Sequence, residues 1–144
     1  TLQESAMEPT YSVGEKFFVN RALYKFSSPK RGDVIVFKTS ASDSAALHIR
    51  RVIGLPGETV QVKDGQVYIN GKVYEENGAY QDMTDGGLAD SAVTLESGEY
   101  FVLGDNRNNS EDSRFSDIGN INKKYIVGKI WFTVSPKNKI GFIK

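Results

Sequence analysis

The chain has 144 residues, a size for one domain, and its 39% hydrophobic and 25% charged content is that of an ordinary globular protein. Its 18 basic and 18 acidic side chains cancel, which argues against a nucleic-acid partner. With no cysteine and one histidine, His48, the chain has no disulfide, no thiolate site and no histidine-rich metal site, and neither a metal nor another cofactor is expected.

No run approaches the roughly 18 consecutive apolar residues of a membrane span. The chain begins at Thr1, which reads as a truncated or processed form, and the lack of a span here does not exclude an anchor removed upstream. In chain order the first feature is the stretch Glu4-Ser5-Ala6-Met7-Glu8-Pro9-Thr10. Residues 33–37, a β-branched and aromatic run after Lys30-Arg31-Gly32, are expected to form a strand. So are residues 47–54, stopped by Pro56-Gly57, and residues 59–63, which alternate with period two.

Asp64-Gly65 and Asn70-Gly71 are hairpin turn signals, and they bracket a strand at 66–69 that leads to another at 72–74. Residues 76–91 are polar and contain glycine, so a loop or a poorly packed insert is expected there. Later strands are expected at 99–103 and 125–134. Many short strands with frequent turns imply a mainly β fold, barrel-like or sandwiched. The division that follows is a β core from 1–60 and 95–144 with a small β insert at 61–94.

Four blocks stand in order along nearly the whole chain. They are Ala6-Met7-Glu8-Pro9-Thr10, then Arg31-Gly32-Asp33-Val34-Ile35-Val36-Phe37, then Arg50-Arg51-Val52-Ile53-Gly54-Leu55-Pro56-Gly57, and last Gly104-Asp105-Asn106-Arg107-Asn108-Asn109-Ser110-Glu111-Asp112-Ser113-Arg114. Together they resemble the type I signal peptidases, and the compact region between Gly57 and Gly104 resembles the short, Gram-positive form. The resemblance implies a core of antiparallel sheets with a small β insert, and a serine–lysine pair that cleaves signal peptides outside the membrane. In that chemistry a serine hydroxyl attacks the scissile carbonyl and a neutral lysine takes its proton.

Matched residue by residue, Ala6 stands at the serine position and Arg50 at the lysine position. Alanine has no group that can form an acyl-enzyme, and an arginine guanidinium does not give up its proton in proteins. Loss of the nucleophile alone costs on the order of a million-fold in turnover. The resemblance makes Ser110 the residue that orients the lysine amine, and Asp112 with Arg114 the ion pair that holds the loop. Asp112 is also a candidate to neutralise Arg50 directly. The backbone N–H of Ala6 is available to an oxyanion, while Glu4 is a departure whose charge would oppose one.

The implied ligand is an extended peptide with small residues before the cleavage site, bound as an added strand, with Met7, Pro9 and Ile49 as candidate lining residues. His48 shares a strand face with Arg50 by alternation and reads as a surface or loop-packing residue; Arg51 reads as structural, and Asp105, Asn106 and Arg107 as turn and network residues. Leu2, Met7, Tyr11, Phe17, Phe18 and Trp131 are divided between a membrane-facing apolar surface and the core, with Trp131 leaning to the core. Three functions remain open. One is a membrane-bound extracytoplasmic peptidase disarmed by an engineered alanine. Another is a natural non-catalytic relative that holds exported peptides, for example pilus components. The third is a binding module with chance motifs, which requires no groove at Ala6 and no proximity of Ala6, Arg50 and Ser110.

Overall fold

A computed structural model describes residues 5–39, 46–76, 78–134 and 140–142 of the protein. Its strands are β1 (Lys16–Asn20), β2 (Val34–Lys38), β3 (Leu47–Gly54), β4 (Thr59–Lys63), β5 (Gln66–Ile69), β6 (Lys72–Val73), β7 (Val93–Thr94), β8 (Glu99–Leu103), β9 (Ile121–Asn122), β10 (Ile126–Val134) and β11 (Ile140–Phe142). Among the described residues the main sheet runs β1-β10-β2-β3-β8-β9, with β11 added on β10, and a second sheet runs β6-β5-β4-β7. Every pairing is antiparallel. The fold is therefore mainly β, as the turn-rich sequence implies.

The hairpins of the second sheet follow from its turn residues. Asp64 and Gly65 have φ of 53° and 78°, and Asn70 and Gly71 have φ of 52° and 82°. Two successive positive φ values give the turn whose twist matches antiparallel strands. β2 reads as an unbroken apolar run because both faces of the main sheet are covered. On one face Val34 and Val36 pack with Ile49, Ile130, Met7 and Tyr11. On the other, Ile35 and Phe37 pack with Val52, Tyr100, Val102 and Ile121. The second sheet adds its own core against the first: Val60, Val62 and Val67 pack on Ile53, Phe101 and Leu103.

Several details depart from the sequence reading. β1, β7, β9 and β11 were not foreseen; they are two to five residues long and exist through their ladders with β10, β4 and β8. Residues 123–125 form a 3₁₀ turn, capped by the Asn122 side chain accepting from the Lys124 N–H, so the long strand starts at Ile126. The stretch from 76 to 91 is not loosely packed: Met83 and Ala89 are buried in the core between the sheets. Trp131 lies at the surface, 42% exposed, rather than in the core, because its strand neighbour Ile130 takes the core-facing side and alternation turns Trp131 away from it. Met7 and Tyr11, by contrast, are core. Leu2 and Glu4 lie outside the described residues.

Candidate active site

Position 6 is fixed by its neighbours. The Glu8 N–H donates to the Ser5 carbonyl (3.1 Å) and the Tyr11 N–H to the Met7 carbonyl (2.9 Å), so residues 5–11 curl into successive turns. Met7 is fully buried, and its sulfur accepts from the Asp105 N–H at 3.4 Å. The Tyr11 hydroxyl is buried with no hydrogen-bond partner among the described residues, and burial pushes its pKa up. Asp105 ties this segment to the sheet: Thr10 Oγ1 donates to it at 2.6 Å, and Arg51 donates from Nε and Nη2 at 2.8 and 2.7 Å. Arg51 also reaches the Gly32 carbonyl (2.9 Å). Burial works against the Arg51 charge, but the hydrogen bond and charge of Asp105 outweigh it and hold the guanidinium above its ordinary pKa.

The loop from Gly104 to Arg114 folds around Asp112, which is 0% exposed. One carboxylate oxygen accepts from the Gly104 N–H (3.0 Å), Ser110 Oγ (2.9 Å) and Arg114 Nη2 (2.9 Å); the other accepts from Arg114 Nε (2.8 Å) and the Arg114 N–H (3.2 Å). A buried carboxylate is tolerable only with donors of this number. Arg114 in turn donates to the carbonyls of Arg107 (2.6 Å) and Asp85 (3.2 Å). Gly104 is where this loop meets position 6. A Cβ there would collide with Ser110 Oγ and lie 2.6 Å from the Ala6 carbonyl oxygen. That carbonyl also accepts from the Asn106 N–H at 2.8 Å.

Arg50 is 2% exposed; its Nε donates to the Glu111 carbonyl and its Nη1 to the Ile49 carbonyl, each at 2.7 Å. Among the described residues Asp112 pairs with Arg114 rather than with Arg50, and its oxygens also accept from Ser110 and Gly104. Ala6, Arg50 and Ser110 line one cavity of about 560 Å³, together with Ser5, His48, Thr84, Asp85 and Asn109. The His48 ring lies 5.7 Å from that of Phe37, its register partner on β2. The three suggested lining residues are placed elsewhere. Met7 and Ile49 point into the core shared with Tyr11 and Val34, and Pro9 is exposed away from the cavity wall.

Arg107 does more than hold a turn. It is 1% exposed, donates from Nε to the Gly104 carbonyl (2.9 Å), and forms a two-pronged pair with Glu76 at 2.7 and 2.6 Å. The Tyr80 ring covers its guanidinium at 4.1 Å. Thr84 and Asn108 bond as well, the Thr84 N–H donating to Asn108 Oδ1 at 3.0 Å. Glu76, Thr84 and Asp85 were not legible as site residues, since they sit in a polar stretch with no motif. The only hint was their place between two strand groups that had to pack somewhere.

Residues 1–135 match the family described as signal peptidase, peptidase S26. The chain is 40% identical to signal peptidase I of Leptolyngbya laminosa over 146 residues, covering 97% of this chain and 70% of that protein. It is 34% identical to signal peptidase I of Bacillus licheniformis, covering 96% of this chain and 77% of that one. Among solved structures, the crystal structure of a signal peptidase I from Enterococcus faecalis is similar with a TM-score of 0.53 and 33% identity, covering 70% of this chain and 95% of that one.

Proposed function

The chain belongs to the signal peptidase I family, peptidase S26, of the Gram-positive type, and on that premise we propose that it keeps the family's peptide cavity but not its serine–lysine chemistry. The observation that carries this reading is the composition of one cavity. Ala6, Arg50 and Ser110 all line it, yet position 6 ends in a methyl group and position 50 in a guanidinium. Without a hydroxyl at position 6 no acyl-enzyme forms, and an arginine cannot accept the proton that the attack releases. Ser110, bonded to Asp112, lines the same cavity as position 50, which supports a loss confined to the two reacting groups.

The test is cleavage of a signal-peptide substrate ending in Ala-x-Ala by the unaltered chain, by Ala6→Ser, and by Ala6→Ser with Arg50→Lys. Only the double variant is expected to cleave, with the others lower by on the order of a million-fold. Cleavage by the unaltered chain would refute the reading.

A second reading is favoured by the loss of both reacting groups, at Ala6 and at Arg50, from a cavity that is still formed. In it the protein is a natural holder of exported peptides, such as pilus components, on the outer face of a bacterial membrane. A silent double variant that still binds a fluorescent signal peptide as tightly as the unaltered chain is the result that selects it. The membrane enters through the family, and the exposed Phe18 and Trp131 on β1 and β10 support a surface that meets lipid. Among the described residues no helix is long and apolar enough to cross a membrane.

A further inference from the structure

A buried ion pair ties the segment that follows β6 to the candidate site. Arg107 is 1% exposed and has two ends. Its Nε holds the Gly104 carbonyl at 2.9 Å, while Nη1 and Nη2 grip the Glu76 carboxylate at 2.7 and 2.6 Å. Glu76 follows β6 and belongs to none of the four sequence blocks. Gly104 is the residue against which the Ala6 carbonyl and Ser110 Oγ both rest, and the Arg107 carbonyl accepts from Arg114 Nη2 at 2.6 Å.

From this geometry we infer that Glu76 is a positioning residue: through Arg107 it sets the place of Gly104, and with it the spacing between position 6 and Ser110. A buried guanidinium stays in place when its charge is met by a carboxylate in side-on geometry. With Glu76 neutral, the desolvation of Arg107 is no longer offset, and the guanidinium turns toward the polar cleft lined by Glu76 and Tyr80. Its bond to Gly104 is then lost. A shift near 1 Å between reacting groups lowers the rate by about a hundredfold.

The inference rests on the peptide-cleavage reading for its kinetic test, so a second test needs no activity. In the background Ala6→Ser with Arg50→Lys, Glu76→Gln is expected to lower kcat by about a hundredfold while KM stays within about twofold. The exposed neighbour Glu75→Gln changes neither. In the otherwise unaltered chain, Glu76→Gln is expected to speed amide hydrogen exchange at Asn106 and Asn109 by about tenfold or more, with the amides of β4 and β5 unchanged. Those two N–H groups donate to the Ala6 and Asn106 carbonyls at 2.8 Å and report the loop directly. Unchanged exchange at Asn106 and Asn109 overturns the inference. So does exchange that rises equally in β4 and β5, which marks general unfolding, or an unchanged kcat in an active background. An inactive background sinks the cleavage reading alone and leaves the exchange result to decide.

Discussion

At Gly104 the Ala6 carbonyl and the Ser110 side chain both lie where a Cβ would be, so the absence of a side chain is what lets the two segments meet. Neither neighbour can retreat cheaply. The Ala6 carbonyl is held by the Asn106 N–H and Ser110 by Asp112. Gly104→Ala is therefore expected to destabilise the protein by about 1–3 kcal/mol, the usual range for overpacking. Urea unfolding checks it, and a loss under about 0.5 kcal/mol would show that the junction yields. The residues at this junction were legible because their spacing carries the motif. Their partners were not: Asp112 was a candidate for Arg50, but its closest donors are two residues away in its own loop. Of the two readings open for Met7, lining residue or core, the packing shows the second. An apolar residue beside position 6 suggests a groove wall, and only the packing of Tyr11, Val34 and Ile130 around it reveals a core residue.

Between β3 and β4 the chain turns through Leu55–Glu58, and one carboxylate holds the turn. Glu58 accepts the Leu55 N–H (2.7 Å) and pairs two-pronged with Arg31 at 2.7 and 2.8 Å. The hydrogen bond from Arg31 lowers the Glu58 pKa; burial opposes this, and the Leu55 N–H adds to the lowering. A carboxyl whose pKa is depressed on folding stabilises above its unfolded value, and that stability is lost as pH falls through the folded value. Glu58→Gln is thus expected to cost about 1 kcal/mol at neutral pH, as for a partly exposed pair, with the gap closing below about pH 4. Urea midpoints of both proteins across that range test it; a pH-independent gap would mean that charge is not the cause. At this scale the sequence is readable where local chemistry decides. The Asp64-Gly65 and Asn70-Gly71 turns and the strands between them follow from backbone preference. β1 and β9 do not, because a few residues become a strand only when β10 or β8 is already there to pair with.

The two sheets form one body because Ile53, Phe101 and Leu103 of the main sheet and Val60, Val62 and Val67 of the second share a core. On the same face of the main sheet, Met7 and Tyr11 pack with Phe17, Val19 and Ile130, so the segment carrying position 6 is tied to β1 and β10. Those two strands also carry two exposed aromatics, Phe18 (55% exposed) and Trp131 (42% exposed), at the register slip between them. If this edge meets lipid, docking and the orientation of position 6 are mechanically linked, since one small core lies under both. Partial burial of each ring in a bilayer is worth about 1 kcal/mol, less than the roughly 1.5–3 kcal/mol of full burial. Phe18→Ser with Trp131→Ser is accordingly expected to weaken binding to phosphatidylglycerol–phosphatidylethanolamine vesicles by about tenfold or more. The unfolding midpoint should barely move, because neither ring is part of the buried clusters. Vesicle sedimentation gives the first quantity and urea unfolding the second. Equal sedimentation of the double variant and the unaltered chain would remove this edge from the membrane and sever the proposed link to position 6.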